Sequence, residues 1–261
     1  MLTATLYYDA ITKNYSKTLA ATAAEPSVTQ QTNYFLANIG KVKSASDLIN
    51  NGRLYNYVMT AFGLSDMINA KGLITKVLEG GVSNPNSLAN TLKDPRYRAL
   101  ASVFNFASSG TSTTSSTALQ QTTVNNYVEQ TLEANVGKQN QGTQMALYFQ
   151  RMAPSITSAY SILGDKTLLT VVQTALGLSP SMSFANIDVQ AKMISSALDI
   201  ADLQIPAKLQ SFIERFTAMY DSNNTSAAPT TPLTPLFDNS GAVGIGSSLL
   251  LSLADLKLGG S

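Results

Sequence analysis

The 261-residue chain is only 13% charged and has a formal net charge of +1, where ordinary soluble domains carry roughly a quarter charged residues. No block of Lys and Arg occurs, so an electrostatic footprint for nucleic acid is excluded. Cysteine and histidine are both absent, which excludes disulfide frameworks, thiol chemistry, Ser-His-Asp triads, imidazole bases and histidine metal ligands; neither a cofactor nor a metal is expected.

The opening MLTATLYYDA has no basic stretch and no unbroken apolar run, so a cleaved signal peptide is not expected. No run approaches the roughly 20 apolar residues of a membrane span. Residues 7–23 read as a helix with Tyr8, Ile11, Tyr15 and Leu19 on one face. Glu25-Pro26-Ser27 ends it, because proline lacks a donor and restricts its predecessor. A helix over 28–38 comes next, with Tyr34, Phe35 and Ile39 as core residues, then a short one over 46–50.

Residues 54–65, LYNYVMTAFGLS, recur as LLTVVQTALGLS at 168–179, a spacing of 114 residues. The same spacing pairs Tyr34-Phe35 with Tyr148-Phe149 and Ser44-Ala45 with Ser158-Ala159. An ungapped match of this length predicts two copies of one module, with matched positions such as Tyr34 and Tyr148 in like surroundings. Leu54, Val58, Ala61 and Phe62 stand at i, i+4, i+7 and i+8, one stripe of an α-helix. Gly63 and Gly177 are expected to end that helix in the left-handed region. Leu64 and Leu178 then fold back on the last turn, and Ser65 and Ser179 are expected to cap the next helix. Gly-Leu-Ser as a binding loop is the alternative.

Residues 66–79 predict the next helix, stopped by Gly80-Gly81. Asp94-Pro95 reads as a helix start placing Tyr97, Leu100, Ala101 and Phe104 together. Lys93, Arg96 and Arg98 around Tyr97 form either a small anion site or a solvated face. Residues 107–118, ASSGTSTTSSTA, bury too little to offset ordering entropy and are expected to be a flexible linker. Helices are predicted over 141–152, 155–163, 165–176 and 187–200, and a last one from Pro206 carries Leu209, Phe212, Ile213, Phe216 and Tyr220.

The expected architecture is therefore all-α and multihelical, with two duplicated helical-bundle modules: 1–106, a linker 107–123, a degenerate second module 124–221, and a spacer with amphipathic tail 222–261. In that tail Leu249, Leu250, Leu253 and Leu256 make one helical stripe. It either docks on its own modules or contacts a partner.

Chemistry is sparse. Gly241-Ala-Val-Gly244-Ile-Gly246 is preceded by no strand and is no phosphate loop. Asp199 and Asp202 are three apart on a helix and are a carboxylate pair of the kind that an acid/base enzyme would use; two surface acids at a helix end is the plainer reading. Asp188, Glu214 and Asp221 stand isolated.

The stretches EPSVTQQTNYFLANIGKV, RLYNYVMTAFGL, VLEGGV, SLANTL and DPRYRALASVFNF, between Glu25 and Phe106, resemble an alphaproteobacterial family catalogued as domain of unknown function 1217. Residues 124–221 look like a weaker copy. Members often sit beside flagellar genes, so the resemblance implies a role in flagellar assembly or structure, and it carries over no catalytic residues. The expectation is a non-catalytic structural or interaction protein. Its partners would be flagellar components or a second copy of the chain, in the cytoplasm or exported with the flagellum. A cytoplasmic regulator or chaperone of flagellar export, and a histidine-free carboxylate enzyme, are the alternatives.

Overall fold

The computed structural model describes residues 2–224, and every regular element among them is helical. The opening segment is two helices rather than one. α1 (Ala4–Lys13) and α2 (Tyr15–Ala23) break at Asn14, whose φ of −123° leaves the helical region. Pro26 sits at the first position of α3 (Pro26–Asn38), where no N–H is missed. α4 (Ala45–Asn50) and α5 (Gly52–Ala61) start under side-chain caps: Ser44 accepts from the Asp47 N–H and Asn51 from the Leu54 N–H.

The helix expected over 66–79 is shorter. A 3-10 turn occupies Ser65–Met67, and α6 runs Lys71–Gly80, ending at Gly81 with φ +58°. α7 (Leu88–Thr91), α8 (Pro95–Val103, capped by Asp94) and α9 (Phe106–Ser109) complete the first half. After α10 (Thr117–Gly137) and α11 (Gln141–Met152), the segment expected as a helix over 155–163 is a 3-10 turn, an extended link and the short α12 (Ala159–Leu163). α13 (Lys166–Leu176), α14 (Ile187–Ala197) and α15 (Pro206–Asn224) finish the described chain.

The helix bounds keep the spacing read from the sequence. Shifting α2 by 114 residues lands on the last nine residues of α10. α3 lands on α11, the 3-10 turn Ile39–Lys41 on Ala153–Ser155, α4 on α12 and α5 on α13, each within one residue or two. Both repeated helices end on a left-handed glycine, Gly63 at φ +68° and Gly177 at φ +67°. In each the leucine after it bonds back to the last turn, Leu64 N–H to Met59 O at 2.8 Å and Leu178 N–H to Gln173 O at 2.9 Å. The serines part company: Ser179 accepts from the Ser181 N–H, whereas Ser65 pairs with the Thr60 hydroxyl instead of capping a turn.

Two apolar cores form. The first gathers Phe35, Ile39, Leu48, Leu54, Val58, Met59, Ile74, Leu78, Leu100 and Phe104. The second gathers Phe149, Ile162, Leu168, Val172, Ile194, Ile213 and Phe216, together with Tyr8 and Ile11 of α1. The N-terminal helix thus belongs with the second half, which corrects the expected boundary of a module spanning 1–106. Its position has a direct cause. The Asp221 carboxylate, near the end of α15, accepts from the Ala4 N–H at 2.7 Å, the Thr5 N–H at 3.0 Å and the Thr5 hydroxyl at 2.8 Å. A negative charge is thereby set on the free N–H groups of a helix start. The Tyr8 hydroxyl adds a bond to Gln150 of α11.

Residues 107–118, expected as a flexible linker, are instead ordered helical turns. Thr113 and Thr114 are buried, and the Thr114 hydroxyl donates to the Val42 carbonyl at 2.6 Å. The rest of that stretch is the start of α10, where Leu119 enters the first core. Hydroxyl-rich sequence is held here by backbone acceptors rather than by apolar burial. α10 continues through Leu132 and Val136 into the second core, so one helix is shared by both. The two halves and α10 form one compact unit extending to Asn224. The stripe Leu249, Leu250, Leu253 and Leu256 and the glycines at 241–246 lie outside the described residues.

Among the described residues, a β-carbon on Gly177 meets no atom within 4 Å, while one on Gly63 lies 3.2 Å from the Gln130 amide. Gly177→Ala is therefore expected to cost about 1–2 kcal/mol from left-handed strain alone, and Gly63→Ala more. Thermal unfolding that ranks the two equally, or leaves both unchanged, contradicts this.

Candidate functional site at the seam between the two cores

Asp94, which caps α8, holds the Arg96 guanidinium with Nη2–Oδ2 at 2.8 Å and Nε–Oδ2 at 3.0 Å. The same Arg96 donates to the Gly63 carbonyl at the end of α5 and reaches Asp66 at 3.3 Å. Its Nε also faces Asp165 of the second half at 3.9 Å. Burial works against the Arg96 charge, but the bonds and field of Asp94 outweigh it and hold its pKa above the ordinary arginine value.

Asp165 is 4% exposed and serves four neighbours. One oxygen accepts from the Thr167 and Leu168 N–H groups at 2.8 and 3.0 Å, capping α13; the other accepts from the Tyr148 hydroxyl and faces Arg96. Burial, then the Asp165 carboxylate, pushes the Tyr148 phenol above its ordinary pKa, so it stays a neutral donor. The Arg151 guanidinium sits over the Tyr148 ring at 5.1 Å and pairs with Glu133 of α10 at 2.6 and 3.2 Å. Tyr34, the position matching Tyr148, is likewise half-buried beneath an arginine, Arg53 at 3.9 Å. Asn51, a cap without charge, stands where the second half has Asp165. The matched tyrosines are alike in their stacked cation and unlike in their hydroxyl partners.

Glu129 and Glu133 flank this network on α10. Burial raises both carboxyls above their ordinary range, and Arg151 offsets only part of that.

Next to the seam opens a cleft of ≈ 550 Å³, walled by Leu92, Lys93, Pro95 and Arg98 on one side and Ser155, Thr157, Ser158 and Tyr160 on the other. The walls meet closely at Gly164, where a β-carbon would lie 2.6 Å from the Lys93 carbonyl carbon and oxygen. Only a residue without a side chain lets the two backbones approach this far. Of the three cations expected as an anion site, Arg96 is consumed by internal carboxylates. Lys93 and Arg98 remain exposed in the cleft, and the Lys93 ammonium sits 4.8 Å from the Tyr160 ring centroid.

The remaining sequence candidates have local partners. Asp199 caps the turn Ile200–Gln204 and is exposed; Asp202 pairs with Lys208 at 2.5 Å. Asp188 accepts from the Tyr160 hydroxyl at 2.8 Å and Glu214 from the Gln210 amide, so neither is isolated, and Asp221 holds α1. No group of three or more acidic side chains among the described residues is placed to hold a metal ion, and none of the described helices is long and apolar enough to cross a membrane. Sequence reasoning missed Tyr148, Arg151, Glu133 and Asp165. A signal for Asp165 was present: it occupies, at the 114-residue spacing, the cap position of Asn51.

The fold and seam define an all-α, multihelical protein whose two apolar cores are joined by a shared helix and a network of ion pairs. The chain belongs to the family described as "Protein of unknown function (DUF1217)", which matches residues 61–209. The matched stretch starts in α5 and ends in α15, running across both cores. Among solved structures, the crystal structure of protein AGR_C_984 from Agrobacterium tumefaciens is similar, with 40% sequence identity and a TM-score of 0.78. The match covers 84% of this chain and 93% of that one. No curated protein matches.

The buried charges can be tested directly. Arg96→Met removes the cation that Asp94 and Asp165 share and is expected to cost roughly 3–5 kcal/mol, as for breaking a buried pair. A loss under about 1 kcal/mol in urea unfolding would mean that Arg96 behaves as a surface charge. A raised folded pKa at Glu129 contributes stability that is present below the ordinary glutamate value and lost as pH rises through the folded value. Glu129→Gln is therefore expected to match the parent protein in mild acid and to be the more stable of the two above neutrality. Urea midpoints measured across pH test the sign.

Proposed function

We propose that the protein is a non-catalytic structural or interaction component linked to flagellar assembly. The two halves are read as copies of one ancestral helical unit. The shared 114-residue spacing of helix ends and of Gly63 and Gly177 supports the copying. The flagellar link rests on the family resemblance. Against acid/base chemistry stands the placement of the candidate carboxylates, each tied to a cap, a tyrosine or a lysine.

The observation that carries the interaction reading is the outer face of α14. Aligning the buried Ile74 and Val77 of α6 with Ala191 and Ile194 of α14 sets Gly72 and Lys76 opposite Val189 and Met193. The first half turns a polar surface outward there. The second half exposes Val189 at 49% and Met193 at 44%, beside Ile187 at 47% and Phe184 at 93%. Exposed apolar side chains gathered on one helix and the turn before it favour a protein partner. The stripe Leu249, Leu250, Leu253 and Leu256 is a second proposed contact, and export-linked regulation in the cytoplasm is the alternative setting for the same contacts.

Affinity capture from native cells tests this. The full chain is expected to recover flagellar components, and Phe184→Ser with Met193→Ser to lose them while keeping the parent's melting temperature. Recovery of none by the full chain, with fractionated flagella also free of the protein, would remove the proposal.

A further inference from the structure

We infer that the cleft at the seam is a groove for an extended acidic peptide segment, with Arg98 and Lys93 receiving its carboxylates; this rests on the interaction reading and names the partner's chemistry. A second cavity of ≈ 380 Å³ adjoins the first. The two share Val82, Pro95, Arg98, Ser155 and Thr157, so together they make one continuous groove with Arg98 in its middle. Among the described residues, neither cavity has an Asp or Glu in its lining. Asp94, which stands between Lys93 and Pro95 in the chain, is paired with Arg96, and the Asp188 carboxylate accepts from the Tyr160 hydroxyl. The positive charge of Lys93 and Arg98 is thus uncompensated within the groove, unlike that of Arg96 and Arg151.

The rest of the lining selects a peptide over a free anion. Val82, Pro85, Ala89, Leu92, Ala99 and Pro154 give the groove apolar walls on both sides of the arginine. A small anion would pair with the cations and leave those walls wet. An extended chain covers them with its other side chains, while its backbone meets the hydroxyls of Ser155, Thr157 and Ser161. The walls are also set in advance. The Asn90 amide donates to the Val82 and Asn84 carbonyls, both at 2.8 Å, fixing one side. The Gly164 backbone contact and the Arg96–Asp165 pair fix the spacing of the two sides. A preformed groove avoids much of the ordering cost of binding.

The test is selection of a random dodecapeptide phage library on the immobilised full chain. Enriched clones are expected to carry Asp or Glu with apolar neighbours. A synthetic copy of one should bind at least about tenfold more weakly to the Lys93→Glu, Arg98→Glu double variant. The same loss should occur when its acids become Gln, while Arg53→Glu, on a separate surface, leaves binding intact. Both altered groove side chains are exposed, so the double variant's melting temperature serves as the control for folding. No enrichment, enrichment without acids, equal binding to the double variant, or displacement by inorganic phosphate alone would each overturn the inference. Capture from native cells separates the two readings. If the double variant still recovers the parent's partner, the groove assignment fails and the interaction reading stands.

Discussion

The contact between Arg96 and Asp165 sets the terms for the rest of the molecule. Neither residue is there for the pair alone. Arg96 closes the end of α5 through the Gly63 carbonyl and anchors to the cap of α8. Asp165 opens α13 and receives the Tyr148 hydroxyl. Two helix starts and one helix end are therefore satisfied by the same few buried charges that span the halves. Ion pairs out of water are costly to assemble and gain little net stability over apolar packing. Their effect here is geometric, because each partner also holds a helix end in place. The groove beside the seam inherits its width from that arrangement.

Local features of the fold were legible in the sequence where one residue type solves one backbone problem. Glycine after an apolar stripe placed both left-handed stops, and proline after an acid placed the start of α8. The apolar spacing fixed the helical character of nearly every segment. What the sequence hid were choices made by distant partners. The break at Asn14 leaves the apolar period of residues 7–23 intact, so periodicity alone reads one helix. Thr113 and Thr114 look like linker because composition counts apolar burial and is blind to a carbonyl such as that of Val42 waiting across the fold. The site was less legible still. Arg96 and Arg98 stand two apart in one helix and look equivalent as text, yet one is locked among carboxylates and the other faces the groove.

The positions matched between the first and second halves are most informative where they differ. Asn51 and Asp165 cap matched helices with nearly the same geometry, but only the aspartate brings a charge, and only it takes part in the seam. Gly72 and Lys76 give way to Val189 and Met193, which changes a solvated helix face into an apolar one. One packing scheme thus serves two surfaces. The interior positions stay apolar on both sides because close packing penalises change there, while exposed positions are free to take on separate tasks.

The place of α1 has a consequence for how the chain matures on the ribosome. Ala4 is held by Asp221, 217 residues further along. At roughly 5–20 residues per second of synthesis, the first helix waits on the order of 10–40 s for the stretch of chain that will shelter Tyr8 and Ile11. Throughout that interval the first core is free to close around its own helices, while the N-terminus trails an unsheltered greasy ridge. The second core can close only once α15 has been made, against a helix synthesised 217 residues before Asp221.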